Sequence, residues 1–195
     1  VAVGAAQLAA GGQRVAIVDW DVHHGNGTQD IFYDDPNVLY VSTHEYPLYP
    51  GSGRADETGG PGAPMSNLNL PFPAGTRGDV YRRAVDEVIA PVVESFAPDW
   101  QFISAGFDAH RNDPLAGLEL TASDYADLAT RLHELAPARR TVVVLEGGYD
   151  FDALDKLARV VSAMRTEQPW TVMRASELIN WIEGGNRDLN EVFGK

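Results

Sequence analysis

Four runs in this sequence are apolar and β-branched throughout and then stop in carboxylates, histidines or glycines. They are RVAIVDWD (14 to 21), NVLYVSTH (37 to 44), DWQFISAGFD (99 to 108) and RTVVVLEGGYD (140 to 150). A run that is apolar at both alternations suits a strand buried on both faces, the situation of a parallel sheet. Helical patterns separate the runs. Residues 79 to 97 place Val80, Ala84, Val88, Val92, Val93 and Phe96 near one face, and Thr121 with Asp124 reads as a capping box opening a helix to about residue 136. Further helices are expected after Phe151 and over roughly 174 to 183. Strand and helix alternate, which predicts an α/β fold, an open parallel sheet with helices on both faces.

Composition narrows the function. At 195 residues the chain has room for one domain, taken here as 1 to 195, with a real core. Fifteen basic against 28 acidic residues give a net charge of −13, which repels phosphate backbones and anionic membranes. Direct nucleic-acid binding is therefore not expected, and no apolar run is long enough for a membrane span. The absence of cysteine removes disulfides, thiolate metal sites and a thiol nucleophile. Any bound metal must be held by histidine and carboxylates. The opening VAVGAAQLAAG reads as the second half of a helix already under way, so an N-terminal truncation is expected. It lacks a signal peptide's basic start, and cytoplasm is the expected compartment.

Ligands of open α/β sheets bind beyond the carboxyl ends of the strands. There the first run delivers Asp19, Asp21, His23 and His24, the second Ser42 and His44, the third Asp108, and the fourth Gly147, Gly148 and Tyr149. Asp21 and His23 are two apart, so at a strand end they point the same way while Val22 turns into the packing. With Asp108 they would make three protein ligands and leave the open position a catalytic zinc requires. On the D-x-H motif alone, loop or helix capping stays open as the alternative. Residues 45 to 78 are rich in Pro and Gly with little periodicity, and read as a long functional loop forming a wall of the site.

The string from Asp19 to Gln29, DWDVHHGNGTQ, resembles the zinc-binding strand and loop of the histone deacetylase and acetylpolyamine amidohydrolase superfamily, closest to class II and bacterial members. YVSTH (40 to 44), YPGSG (49 to 53), SAGFDAH (104 to 110) with Asp113-Pro114, and LEGGY (145 to 149) follow in the family's order. The resemblance runs from residue 1 to about 164 and leaves the tail from 165 to 195 unassigned. It implies one zinc per chain on Asp21, His23 and Asp108, and hydrolysis of an acetyl-lysine peptide or related acylated amine by metal-activated water. Tyr149 would donate its hydroxyl to the substrate carbonyl, worth about 3 kcal/mol by analogy with other oxyanion donors. Asp19 would accept a hydrogen bond from a catalytic histidine. A structural potassium ion would use Asp19, Asp21, the His23 carbonyl, Ser42 and the Thr43 carbonyl. Phe107, Tyr49, Leu115, Gly147 and Gly148 would line the substrate channel, with apolar Leu115 at the mouth favouring a neutral amide. Asn26 replaces an aspartate of class I relatives. A homo-oligomer is left open.

One departure bears on activity. The family's adjacent His-His pair, its general base and acid, lies upstream of the zinc strand, and no histidine precedes His23 here. Alternation aims His24 away from Asp21 and His23, so it does not substitute. Loss of the base costs roughly 100-fold to 10,000-fold, and the chain alone is expected to be inactive or nearly so. Two other functions remain in view. A degenerate deacetylase-like module would bind without hydrolysis. A binuclear manganese ureohydrolase would need carboxylates where Gly25 and His110 stand.

Overall fold

The computed structural model describes residues 1 to 150 together with the backbone of 172 and 173. In chain order it contains α1 (Ala2–Ala10), β1 (Val15–Asp19), α2 (Asn26–Phe32), β2 (Val38–Glu45), β3 (Asn67–Phe72) and α3 (Gly78–Ala84). A π-helical stretch (Val85–Ile89) joins α3 to α4 (Ala90–Phe96), followed by β4 (Trp100–Ala105), α5 (Ala122–His133), β5 (Thr141–Leu145) and β6 (Val172–Met173). The strands form one parallel sheet in the order β3-β2-β1-β4-β5-β6. The expected open parallel α/β sheet is the observed one.

Successive side chains of a strand point to opposite faces, and each face here has its own core. Val15 and Ile17 join Val38, Tyr40, Phe102, Val142 and Val144 beneath α1 and Phe32 of α2. Ala16 and Val18 join Leu39, Val41, Ile103 and Val143 against α3, α4 and α5. β1, β2 and β4 are buried at every position, which is why their sequences show no polar alternation.

The helix from 78 to 96 buries part of the face its sequence suggests, since Val93 is buried and Val92 and Phe96 pack against the core, but in its first half the buried row lies one residue over. Tyr81, Val85, Ile89 and Val93 are its buried apolar side chains, while Val80 and Val88 are 39% and 37% exposed. An α-helix turns about 400° in four residues, so a row repeating every fourth residue drifts some 40° per step. The π-helical stretch closes i→i+5 bonds and winds more slowly, which returns the row to one side. The row Val80, Ala84, Val88, Val92 has the same spacing of four and lies one residue out of phase, so spacing alone does not choose between the two. The helix stops at Ala97, left-handed at φ 50°, before Pro98.

α5 begins with the expected capping box, with the Thr121 and Asp124 side chains each accepting the other's backbone N–H. Three elements went unread, α2, β3 and β6, and β3 lies inside the stretch taken as loop. In β3 the better-buried alternation is polar, Asn67 and Asn69, while Leu68 and Leu70 are half-buried against the core. The expected helices after Phe151 and over 174 to 183 lie outside the described residues.

Candidate metal centre

From β1 the chain passes through α2 to β2 on one side, and from β4 it passes through α5 to β5 on the other. The crevice beyond the carboxyl ends of β1 and β4 is thus the sheet's topological switch point, where an α/β sheet leaves room for a ligand. Asp19 at the end of β1 stands in register with Ser42 of β2 and Ser104 of β4. Immediately past these ends the chain delivers Asp21, His23 and Asp108. Val22 between them is fully buried, as the alternation requires.

Asp21, His23 and Asp108 each offer a donor atom within 4.8 Å of the others, the one such metal-type group among the described residues. His23 Nδ1 lies 3.1 Å from Asp21 Oδ1 and 3.2 Å from Asp108 Oδ2. Backbone donors aim the carboxylates. The Val22 N–H donates to Asp108 Oδ1 at 2.9 Å, the Gly147 N–H to Asp21 Oδ2 at 3.0 Å, and the His23 N–H to Asp21 Oδ1 at 2.8 Å. A Cβ on Gly147 would sit 2.6 Å from Asp21 Oδ2 and closer still to Asp108 Oδ2, and one on Gly106 would also strike Asp21. Only glycine lets the β5 turn lie this close to the carboxylates. Burial, and then the neighbouring Asp21 charge, push the Asp108 carboxyl up to about 7. Two carboxylates and an imidazole, pre-aimed by backbone N–H groups, are a donor set that fits zinc.

Asp19 is buried and accepts from the Tyr40 hydroxyl at 3.0 Å and from the Asp21 N–H at 3.1 Å. Burial first and Asp21 second raise its carboxyl well above the usual carboxylate range. Ser42 is buried with its hydroxyl on His44 Nδ1, and Thr43 donates to the Asp19 carbonyl. Glu146 shares a cleft of about 180 Å³ with Asp19, Asp21, His23 and Ser104, and burial raises its carboxyl.

The expected channel residues divide. Tyr49 is exposed and sets its ring edge-on to His23 at 6.3 Å between centroids. Tyr149 and Leu115 are exposed, and both backbones are pinned by Asp113, whose carboxylate accepts the two N–H groups at 2.9 and 3.0 Å. Partial burial and then the Asp108, Asp21 and Asp113 charges raise the Tyr149 phenol. Gly147 and Gly148 form the turn between the metal cluster and Tyr149, with Gly148 at φ 139°. Phe107 departs from expectation. Its ring is buried in the core 4.9 Å from Tyr125 and 6.3 Å from Trp20, because the register that aims Asp108 into the crevice turns its neighbour inward.

His24 and His44 are outside the cluster, as alternation requires for His24. The neutral His24 ring accepts from the Ser52 hydroxyl at 2.9 Å and donates to Gln29 Oε1 at 3.0 Å. His44 accepts from Ser42 and donates from Nε2 to the Gly53 carbonyl at 2.9 Å, and burial with the adjacent His24 lowers it to about 4. Gly25 and His110 do not join the donor group, so the second metal of a ureohydrolase has no carboxylates there. Sequence reasoning gave no role to Tyr40, Gly106 or Glu146. Only their places in recurring motifs could have drawn attention to them.

Fold and site together define an α/β protein with a mixed histidine–carboxylate centre at its switch point. Residues 1–165 match the histone deacetylase domain, and the chain belongs to that family of deacetylase-type hydrolases. It is 46% identical over 198 residues to "Histone deacetylase 10, chloroplastic" of Oryza sativa subsp. japonica, covering 100% of this chain and 45% of the relative. It is 47% identical over 148 residues to a "Probable deacetylase" of Archaeoglobus fulgidus, covering 74% and 41%. Among solved structures it resembles the HD domain of HDA15, with a TM-score of 0.76 and 40% identity over 80% of this chain and 45% of that one. An acetylpolyamine aminohydrolase from Burkholderia pseudomallei gives 0.76 and 36% over 83% and 48%. The chain spans less than half the length of these relatives.

Proposed function

We propose that this chain carries the metal-binding and oxyanion-side residues of a zinc-dependent deacetylase that hydrolyses acetyl-lysine or a related N-acyl amine. The observation that carries the reading is the convergence of Asp21, His23 and Asp108 in the β1/β4 crevice with their carboxylates already aimed. These three residues would hold one zinc ion, whose Lewis acidity, when bound, polarises the amide carbonyl and water.

The chain's own groups do the rest. Tyr149 keeps its proton because partial burial, and then the neighbouring carboxylates, disfavour the phenolate, so its hydroxyl remains a donor for the substrate carbonyl oxygen. Asp113 fixes the turn that presents Tyr149 and places Leu115 beside it as an apolar rim. Tyr49 offers an aromatic wall to an acyl-amine side chain. Asp19, 4% exposed, keeps a carboxyl oriented by Tyr40, ready to accept from a histidine or face a cation. A potassium ion on Asp19, Asp21, His23, Ser42 and Thr43 belongs to the same proposal, supported by their adjacency in register. Acetylated basic peptides suit the −13 charge, and the cytoplasm is proposed as the compartment, although two relatives are named chloroplastic.

Both ring nitrogens of His24 and His44 are committed, so neither serves as general base. That observation favours, as a second reading, binding of acetyl-lysine without turnover. The test measures zinc stoichiometry and acetate release from an acetyl-lysine peptide, on this chain and on a version extended upstream by a histidine pair. One zinc per chain with hydrolysis only in the extended form supports the deacetylase. Zinc without hydrolysis in either form supports the binding module, and no zinc in either overturns the metal centre.

A further inference from the structure

Tyr49 reaches the metal cluster from the segment between β2 and β3, yet little of its own surface holds it there, since it is 78% exposed. The segment is fastened four residues further on. His44 Nε2–H donates to the Gly53 carbonyl at 2.9 Å, and the Ser52 hydroxyl donates to His24 Nδ1 at 2.9 Å. The two rings lie 4.8 Å apart and both are buried. Gly53 adopts φ +89°, and a Cβ there would fall 2.5 Å from His44 Nε2 and 2.6 Å from the His24 ring. The backbone therefore rests directly on the two imidazoles, where only glycine fits.

We propose that His24 and His44 are positioning residues that clamp the loop at Ser52 and Gly53 and so hold Tyr49 as the aromatic wall beside His23. The clamp has a definite reference point. His24 directly follows His23, so the loop is indexed to the segment that supplies a metal donor, and His44 is tied back to Ser42 in β2. Beyond the clamp, Gln29 holds Glu57 at 2.7 Å and Asn69 holds the Arg54 carbonyl at 3.3 Å. On the near side the Tyr46 N–H donates to the Phe72 carbonyl at 2.8 Å and Leu48 packs against the core, so the histidines fix the segment that carries Tyr49 from its Ser52–Gly53 side. The substrate-facing part of this inference rests on the deacetylase reading. The clamp itself does not.

The test uses His44→Leu, which keeps volume but removes both nitrogens, and His44→Gln, whose amide N–H reaches the Nε2 position. Tyr49→Ala reports loss of the wall. Ser52→Ala removes one clamp bond without altering the core. The probes are Zn²⁺, acetohydroxamic acid, which reaches only the metal, and a hydroxamic acid with a six-carbon chain ending in phenyl. Zinc and acetohydroxamate affinities are expected to stay within about twofold in all variants, while the tailed probe weakens about tenfold in His44→Leu and Tyr49→Ala. Ser52→Ala shifts the tailed probe in the same direction. His44→Gln restores most of the loss, and the double variant is no weaker than Tyr49→Ala alone. Trypsin cleavage after Arg54 accelerates in His44→Leu and not in Tyr49→Ala. Unchanged tailed-probe affinity in His44→Leu, or penalties that add in the double variant, overturns the proposal. If the unsubstituted chain binds neither zinc nor acetohydroxamate, the deacetylase reading fails instead. An unchanged trypsin rate then still overturns the clamp.

Discussion

The Asp108 carboxyl, raised from its ordinary 3.8 to about 7, makes the metal-free centre a proton trap. The folded chain keeps a proton there that the unfolded chain has already shed. This contribution to stability is complete below pH 3.8 and is lost as pH rises through about 7. Asp108, with the raised Asp19 and Glu146 carboxyls, therefore favours a lower melting temperature at pH 8 than at pH 5, against the lowered His24 and His44, so Asp108→Asn should raise melting at pH 8 relative to pH 5, and added zinc should do the same. Differential scanning calorimetry checks both. Because zinc displaces the proton, its affinity should fall about tenfold per pH unit below 7. Gly147→Ala places a methyl against both carboxylates and should cost about tenfold to a hundredfold in zinc affinity by titration, the effect seen when ligand-orienting partners are lost. At this scale the sequence was informative, since Asp21, His23 and Asp108 could be paired by strand-end logic and motif order. Phe107 could not be placed, because a motif names a residue without saying which way its neighbour's register turns it.

The helix from 78 to 96 shows what a sequence pattern hides at the scale of elements. Its buried row repeats every fourth residue and is kept in line by five π-helical residues, and the equally spaced row through Val80 and Val88 differs from it only in phase, which hydropathy does not reveal. The structure predicts opposite outcomes for adjacent positions. Ile89→Ala should cost about 2–5 kcal/mol and Val88→Ala no more than about 0.5 kcal/mol in urea denaturation. Strands buried on both faces were legible because nothing but apolar residues suits them. β3 was not, because its buried alternation is carried by Asn67 and Asn69, whose amides bond Gln29 and loop carbonyls instead of joining an apolar core. Polar burial of this kind leaves no hydropathy signal.

For the whole molecule, the −13 charge and the acidic centre favour a cationic substrate. Binding of an acetylated basic peptide should weaken as salt rises from 50 to about 300 mM, where the screening length shortens below about 10 Å, while a neutral acetylated peptide should not respond. Fluorescence anisotropy distinguishes the two. The crevice between β1 and β4 also carries a consequence for assembly. Those strands lie side by side in the sheet, yet His23 and Asp108 are 85 residues apart along the chain. A bound ion would close that entire loop, restricting the unfolded chain much as a cross-link does. The ion would then serve as a clasp on the crossover as well as a reagent, and a chain still being synthesised could not fasten it until β4 had emerged.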